Sequence, residues 1–162
     1  MKVYIKNKAI SLGGSSDVLD ENQNPIYKVK GKVFSPTKVK KMYDMEGKLL
    51  YKIRNRWFNF FANKTYIFNA ENTKVATIKK DKWSINTKYE IEDCVDDMQI
   101  EGKLFRRDSK IMRNGKQVGM ITQEFTIIAD CFCLEAEEAE VPFLTALVIG
   151  FDNIKDKIQK DK

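Results

Sequence analysis

Three stretches of this chain share one pattern, a polar turn followed by basic residues set among apolar or β-branched ones. They are Asn24-Pro25-Ile26-Tyr27-Lys28-Val29, Glu46-Gly47-Lys48-Leu49-Leu50-Tyr51-Lys52-Ile53 and Asn72-Thr73-Lys74-Val75-Ala76-Thr77-Ile78. Val29, Ile53 and Ile78 stand 24 and 25 residues apart, a period that suits successive β-hairpins rather than helical repeats. A longer echo follows, with Val29-Lys30-Gly31-Lys32-Val33-Phe34 returning 71 residues later as Ile100-Glu101-Gly102-Lys103-Leu104-Phe105. A chain built this way folds by pairing neighbours into an antiparallel sheet.

Local alternation supports the same reading. Tyr27, Val29, Gly31 and Val33 alternate with Lys28, Lys30 and Lys32, the mark of a strand with one buried and one wet face. Tyr51 and Ile53 alternate with Lys52 and Arg54, and Ala76 and Ile78 with Thr77 and Lys79. Turns are expected at Asn22-Gln23-Asn24-Pro25, Met45-Glu46-Gly47, Glu71-Asn72-Thr73, Val95-Asp96-Asp97 and Arg113-Asn114-Gly115. The last contains Asn-Gly, whose residues tolerate the positive φ of a tight hairpin. Gly31 and Gly102 hold equivalent places, and a mid-strand glycine predicts a bulge or bend.

The pattern changes after Glu135. Glu135, Glu137, Glu138 and Glu140 precede Val141-Pro142-Phe143-Leu144-Thr145-Ala146-Leu147-Val148-Ile149-Gly150-Phe151, and acids ahead of a first-turn proline predict a helix start. That helix is apolar nearly all round, so it has to be buried on every side. It is too short to cross a bilayer, which takes about 20 apolar residues. The expectation is one domain over residues 1–162, with strands within 1–136, a helix over 141–154 and a charged tail over 155–162. The fold class is mainly β: a closed antiparallel barrel of about twelve strands around a central hydrophobic C-terminal helix. About eleven strands suffice to hold a helix, whereas eight leave room only for side chains. The competing arrangement, an α+β sandwich with the helix on one face, would leave part of the helix wet.

Residue types narrow the chemistry. There is no histidine, which removes the usual general base and metal ligand and every Ser-His or Cys-His pair. The acid pairs Glu92-Asp93 and Asp96-Asp97 read as a solvated turn rather than a glycosidase pair. No Gly-rich phosphate loop occurs. Cys131 and Cys133 fall on one strand face with Cys94 elsewhere, too few ligands for a structural zinc site, so buried inert thiols are expected. No enzyme activity, metal or cofactor is expected. The first residues are charged where an export signal would be apolar, and an odd cysteine count argues against a disulfide framework, so the cytosol is the expected compartment.

Charge is unevenly distributed. Residues 1–90 carry 19 Lys+Arg against 8 Asp+Glu, and residues 91–162 carry 10 against 15. Lys28, Lys30, Lys32, Lys52, Arg54, Arg56 and Lys79 are candidates for one basic face toward anionic lipid or another polyanion. The same lysines also serve as a solvating surface or guard strand edges. In Arg54-Asn55-Arg56-Trp57-Phe58-Asn59-Phe60-Phe61 the aromatics Trp57, Phe58, Phe60 and Phe61 occupy both parities. They suit either a membrane-interface hairpin tip or a crowded barrel end. Nucleic acid is the weaker partner, because no helix-turn-helix, zinc finger or RNP-like strand pair is present. A protein-binding scaffold is the alternative function, and the sequence names neither a partner nor an oligomeric state.

Beyond these readings, the chain resembles a LURP-one-related protein, within the tubby C-terminal-like superfamily that also contains the phospholipid scramblases. The resemblance covers nearly the whole chain. It rests on Ile10-Ser11-Leu12-Gly13, on the run from Val18 through Asn24-Pro25-Ile26-Tyr27 to Lys32, and on Met42-Tyr43-Asp44-Met45-Glu46-Gly47. It rests further on Lys74-Val75-Ala76-Thr77-Ile78-Lys79-Lys80 and on Ala146-Leu147-Val148-Ile149-Gly150-Phe151-Asp152-Asn153-Ile154. It implies a closed barrel of about twelve strands threaded by its C-terminal helix and no enzyme activity; tubby-like members are associated with phosphoinositide-containing membranes, and small microbial members have no settled role. The lipid-binding residues of that family match no positions here, so none is carried over.

Overall fold

The computed structural model describes the chain apart from residues 7–14, 33–34, 57–63, 81–88, 93, 95, 103–107, 126–129 and 161–162. Twelve strands run in chain order: β1 (Lys2–Lys6), β2 (Ser15–Asp20), β3 (Pro25–Gly31), β4 (Lys40–Tyr43), β5 (Leu49–Asn55) and β6 (Lys64–Asn69) form the first half. The second half is β7 (Lys74–Lys80), β8 (Tyr89–Glu92), β9 (Met98–Gly102), β10 (Ser109–Arg113), β11 (Lys116–Phe125) and β12 (Asp130–Ala136). Each strand pairs antiparallel with its chain neighbours, and β1 pairs with β12, closing the barrel. Closure removes the free edges that a sandwich would have left. A 3₁₀ turn (Glu138–Glu140) leads into helix α1 (Val141–Lys160), which continues six residues past the expected end at 154.

The sequence repeat is a repeat of turn chemistry. In the first hairpin the Asp20 carboxylate accepts hydrogen bonds from the amides of Asn22 and Asn24, both at 2.8 Å. In the second, Asp44 accepts from Glu46 at 3.0 Å and Lys48 at 2.8 Å. In the third, the Asn69 side chain accepts from the Thr73 amide at 2.8 Å. Each turn then needs one residue at positive φ, supplied by Gln23 (65°), Gly47 (87°) and Asn72 (61°). Such a turn leaves one extra residue in the ladder, and the register shifts fall beside it, at Val18/Leu19, Met42/Tyr43 and Ile67/Phe68. The bulges expected at Gly31 and Gly102 are absent from the ladder: both glycines end their strands and no register shift falls at either, although Gly102 turns the chain at a φ of 113°. The hydrogen bond from the Asn24 amide, helped by the Asn24 side chain and the Asn22 amide, holds the Asp20 carboxyl below its ordinary range.

Inward parity supplies the core. Val29, Met42, Ile53, Ile67, Ile78 and Ile111 are among the residues with no more than 1% exposure, and Leu144, Leu147, Ile149 and Phe151 of α1 meet them. Two glycines set how closely helix and wall approach. A Cβ on Gly150 would lie 2.6 Å from Ile78 Cδ1, and one on Gly119 would lie 2.9 Å from Leu144 Cδ1. The helix packs against β5, β6, β7, β12 and β1.

At the lower end of α1 the interior turns polar. Lys40 points into the barrel and pairs with Asp152 at 3.5 Å, with side chains 4% and 5% exposed. The Asn55 amide donates to the Asn153 carbonyl (3.3 Å), Thr65 donates to Asn55 (2.7 Å), and the Asn153 amide donates to the Lys38 carbonyl (3.2 Å). These bonds give α1 one depth and one rotation in the barrel.

Candidate functional site

Strand register decides which cations meet on the outer wall. Lys30 on β3 lies opposite Lys41 on β4, and Lys41 lies opposite Lys52 on β5. Lys52 faces Phe68 on β6, which faces Lys74 on β7. Strands stand about 4.8 Å apart, so three lysines form a row about 10 Å long. One row toward the hairpin end, Lys28 lies opposite Tyr43. One row the other way, Arg54 lies opposite Tyr66. Arg56 is exposed beyond it, its amide bonded to the Lys64 carbonyl at 3.0 Å. Lys32 is exposed just past the end of β3.

The aromatics are interleaved with these charges. Lys30 sits 5.3 Å from the Tyr43 ring centre, Lys52 and Arg54 sit 5.7 Å and 5.0 Å from that of Phe68, and Lys74 sits 5.8 Å from that of Tyr66. Tyr66 and Phe68 meet edge to face at 6.5 Å. Cation–π contact at an exposed ring contributes about 0.5–1 kcal/mol, which steadies long side chains that would otherwise sweep the solvent. Among the described residues, Lys28, Lys30, Lys41, Lys52 and Arg54 form no ion pair. Lys52 donates to the Asn72 side chain at 3.3 Å.

The face has a boundary. Lys79 bonds Glu90 and Glu92, each at 3.4 Å, and Lys64 bonds Glu92 at 3.3 Å. Those carboxylates, Glu92 foremost, raise the Lys79 pKa, and they neutralise the wall at β7–β8. Lys79 thus stands outside the unpaired group, whereas Lys28, Lys30, Lys32, Lys52, Arg54 and Arg56 share one side of the barrel. On the opposite wall the signs mix: Glu101 faces Lys110, and Lys2 pairs with Glu135 at 3.6 Å. Trp57, Phe58, Phe60 and Phe61 lie outside the described residues.

Sequence reasoning missed Lys41, Lys74, Tyr43, Tyr66 and Phe68. The repeats mark β3, β5 and β7, but β4 and β6 stand between them and complete the row. Lys40-Lys41 did hold a signal: adjacent residues on a strand face opposite ways, and the inward Met42 sends Lys41 and Tyr43 out. Cys94, Cys131 and Cys133 carry no disulfide. Among the described residues no three carboxylates or thiols converge to hold a metal ion, and no helix is long and apolar enough to cross a membrane. The wall's chemistry is therefore that of several strongly hydrated cations, aimed outward, with amphipathic rings between them.

Comparison with known proteins gives this arrangement a context. A family model described as LURP-one-related matches residues 1–152. An X-ray structure of a protein from Arabidopsis thaliana superposes with a TM-score of 0.66 at 16% identity, covering 95% of this chain and 90% of that one. At that identity the likeness carries the fold alone. No curated protein matches the chain.

Proposed function

The chain belongs to the LURP-one-related family, and on that premise we propose that it is a non-enzymatic module that docks reversibly on anionic phospholipid or phosphoinositide membranes. The docking surface is the outer wall of β3–β7, and the place of action is the cytosolic face of a membrane. One observation carries the reading: Lys30, Lys41 and Lys52 stand directly opposite one another with no carboxylate between them. Like charges across a ladder are destabilising, so such a row is a cost to the fold that an anionic ligand relieves. Near an anionic leaflet each lysine or arginine contributes about 1 kcal/mol. Lys28, Lys30, Lys41, Lys52, Arg54 and Arg56 together give about 6 kcal/mol, a dissociation constant in the tens of micromolar. That strength suits reversible attachment. Tyr43 and Tyr66 add rings of the kind that settle at headgroup depth.

The test is co-sedimentation with phosphatidylcholine vesicles, with and without phosphatidylserine. Wild type should pellet only with the anionic vesicles, and less as salt rises. The Lys30→Gln/Lys41→Gln/Lys52→Gln variant should bind roughly a hundredfold more weakly, at about 1 kcal/mol per charge. Lys110→Gln/Lys116→Gln, on the mixed wall, should bind like wild type. Equal pelleting of the two variants would defeat the proposal.

A further inference from the structure

A second site lies inside the hairpin end of the barrel. There a cleft of about 290 Å³ lies between the start of α1 and strands β5, β7, β9 and β10, lined by Tyr51, Val75, Met98, Phe143, Asp96 and Arg113, and also by Asn69 and Cys94. That volume is at the small end for ligand sites, too small for a nucleotide.

Three features of the lining point to one ligand chemistry. Tyr51 and Phe143 meet at 6.0 Å and 52°, forming an open aromatic corner of the kind that holds organic cations. The local charge is negative. Arg113 is the one cation of the lining, and it is shared between Glu140 and Asp96, the latter at 3.6 Å. Glu138 adds a further negative charge beside Tyr27, whose hydroxyl also interacts with that of Tyr51. Burial and then Glu140 push the Tyr51 hydroxyl above its ordinary pKa, and burial and then Glu138 do the same to Tyr27. The third feature is an unmet donor. Among the described residues Arg113 Nε is buried with no hydrogen-bond acceptor, the Asp96 oxygen beside it being too distant at 3.6 Å. The Asp96 carboxylate is 43% exposed and uses one oxygen to accept from Asn114 at 3.0 Å, so it keeps acceptor capacity for an incoming ammonium.

We infer that this cleft binds a small organic ammonium compound, its cationic head between Asp96 and the Tyr51–Phe143 corner and a neutral acceptor oxygen taking the Arg113 Nε–H. The site is independent of the lysine wall and does not rest on membrane docking.

Phenylalaninamide, which has an ammonium, a carbonyl and a ring, is a suitable probe. N-acetylphenylalaninamide removes the charge, and N-acetylphenylalanine replaces it with a carboxylate. Binding is read by NMR titration and by protection of Cys94 from iodoacetamide. Cys131 and Cys133 are buried, and Cys94→Ser assigns the labelled signal. Phenylalaninamide should saturate and slow Cys94 alkylation, and the two acetylated compounds should not. Asp96→Asn, which keeps an oxygen for Asn114, should weaken binding about tenfold, the usual loss for a charge-assisted hydrogen bond. An unchanged urea midpoint shows that this variant is folded. Equal binding of either acetylated compound, an affinity unmoved by Asp96→Asn, or no saturation at millimolar probe would overturn the inference.

Discussion

Removing one member of the Lys40–Asp152 pair should be the most damaging polar substitution in this protein, and removing both charges should be far milder. The two side chains are 4% and 5% exposed and 3.5 Å apart. At an effective dielectric of about 20 their attraction is about 5 kcal/mol. Withdrawing each ion from water costs several kcal/mol, so attraction and desolvation nearly offset each other and the pair adds little net stability. Lys40→Met cancels the attraction yet leaves the Asp152 carboxylate at the same depth without that cation. The expected loss is about 3–5 kcal/mol, or a Tm lower by roughly 6–20 °C for a domain of this length. Asp152→Asn should cost a similar amount for the converse reason. Lys40→Met/Asp152→Asn removes both charges together and should recover most of the loss. Urea unfolding of the four proteins closes a double-mutant cycle, with the coupling read as the shortfall from additivity. The reasoning is refuted if the double variant loses the sum of the single losses, or if Lys40→Met costs under about 1 kcal/mol.

Two further outcomes follow from interior packing. Tyr89 is 7% exposed and lies edge to face on Phe151 at 5.4 Å, and burial pushes its pKa up to about 12. A raised pKa protects the fold below the unfolded value near 10, and the protection is lost as pH climbs to about 12. Alkaline unfolding of wild type should therefore show roughly 2–3 kcal/mol of pH dependence that Tyr89→Phe lacks. Gly150→Val should cost about 1–3 kcal/mol by overpacking, because its Cβ would lie 2.6 Å from Ile78 Cδ1. Gly150→Ala should be tolerated better once Ile78→Val removes that methyl, measured as the urea midpoint.

The barrel was legible because its information is local and periodic. Asp20, Asp44 and Asn69 each start a turn of the same chemistry, and alternation after each turn sorts Val29, Ile53 and Ile78 inward. The buried helix was legible from the absence of a polar stripe on residues 143–151. What escaped depends on lateral neighbours, which no single segment records. β4 is four residues long, too short for its period to stand out, yet Lys41 and Tyr43 on it join the two halves of the basic wall. The glycine bulges were misplaced because the Asx turns absorb the extra residue at the hairpin ends. The helix end was misplaced at 154 because residues 155–160 hold neither the glycine nor the proline that would mark a stop.

The lysine row links binding to stability with opposite signs. The oily helix and inward aliphatics hold the barrel together, so the outer wall can carry repulsion the core does not feel. Lys30, Lys41 and Lys52 make two directly opposed like-charge pairs, each costing about 0.2–1 kcal/mol. Neutralising all three as glutamine should raise the unfolding free energy by about 0.5–2 kcal/mol at low salt while weakening vesicle binding roughly a hundredfold. The gain should shrink as salt brings the Debye length to about 3 Å near 1 M. A residue kept only for solvation or packing would move the other way or not at all, since its loss relieves nothing. Stabilisation with loss of binding is the pattern of a surface held at some expense for a ligand. A variant less stable than wild type, or one whose gain ignores salt, would show that the cations are tolerated by their surroundings and that the wall is no docking surface.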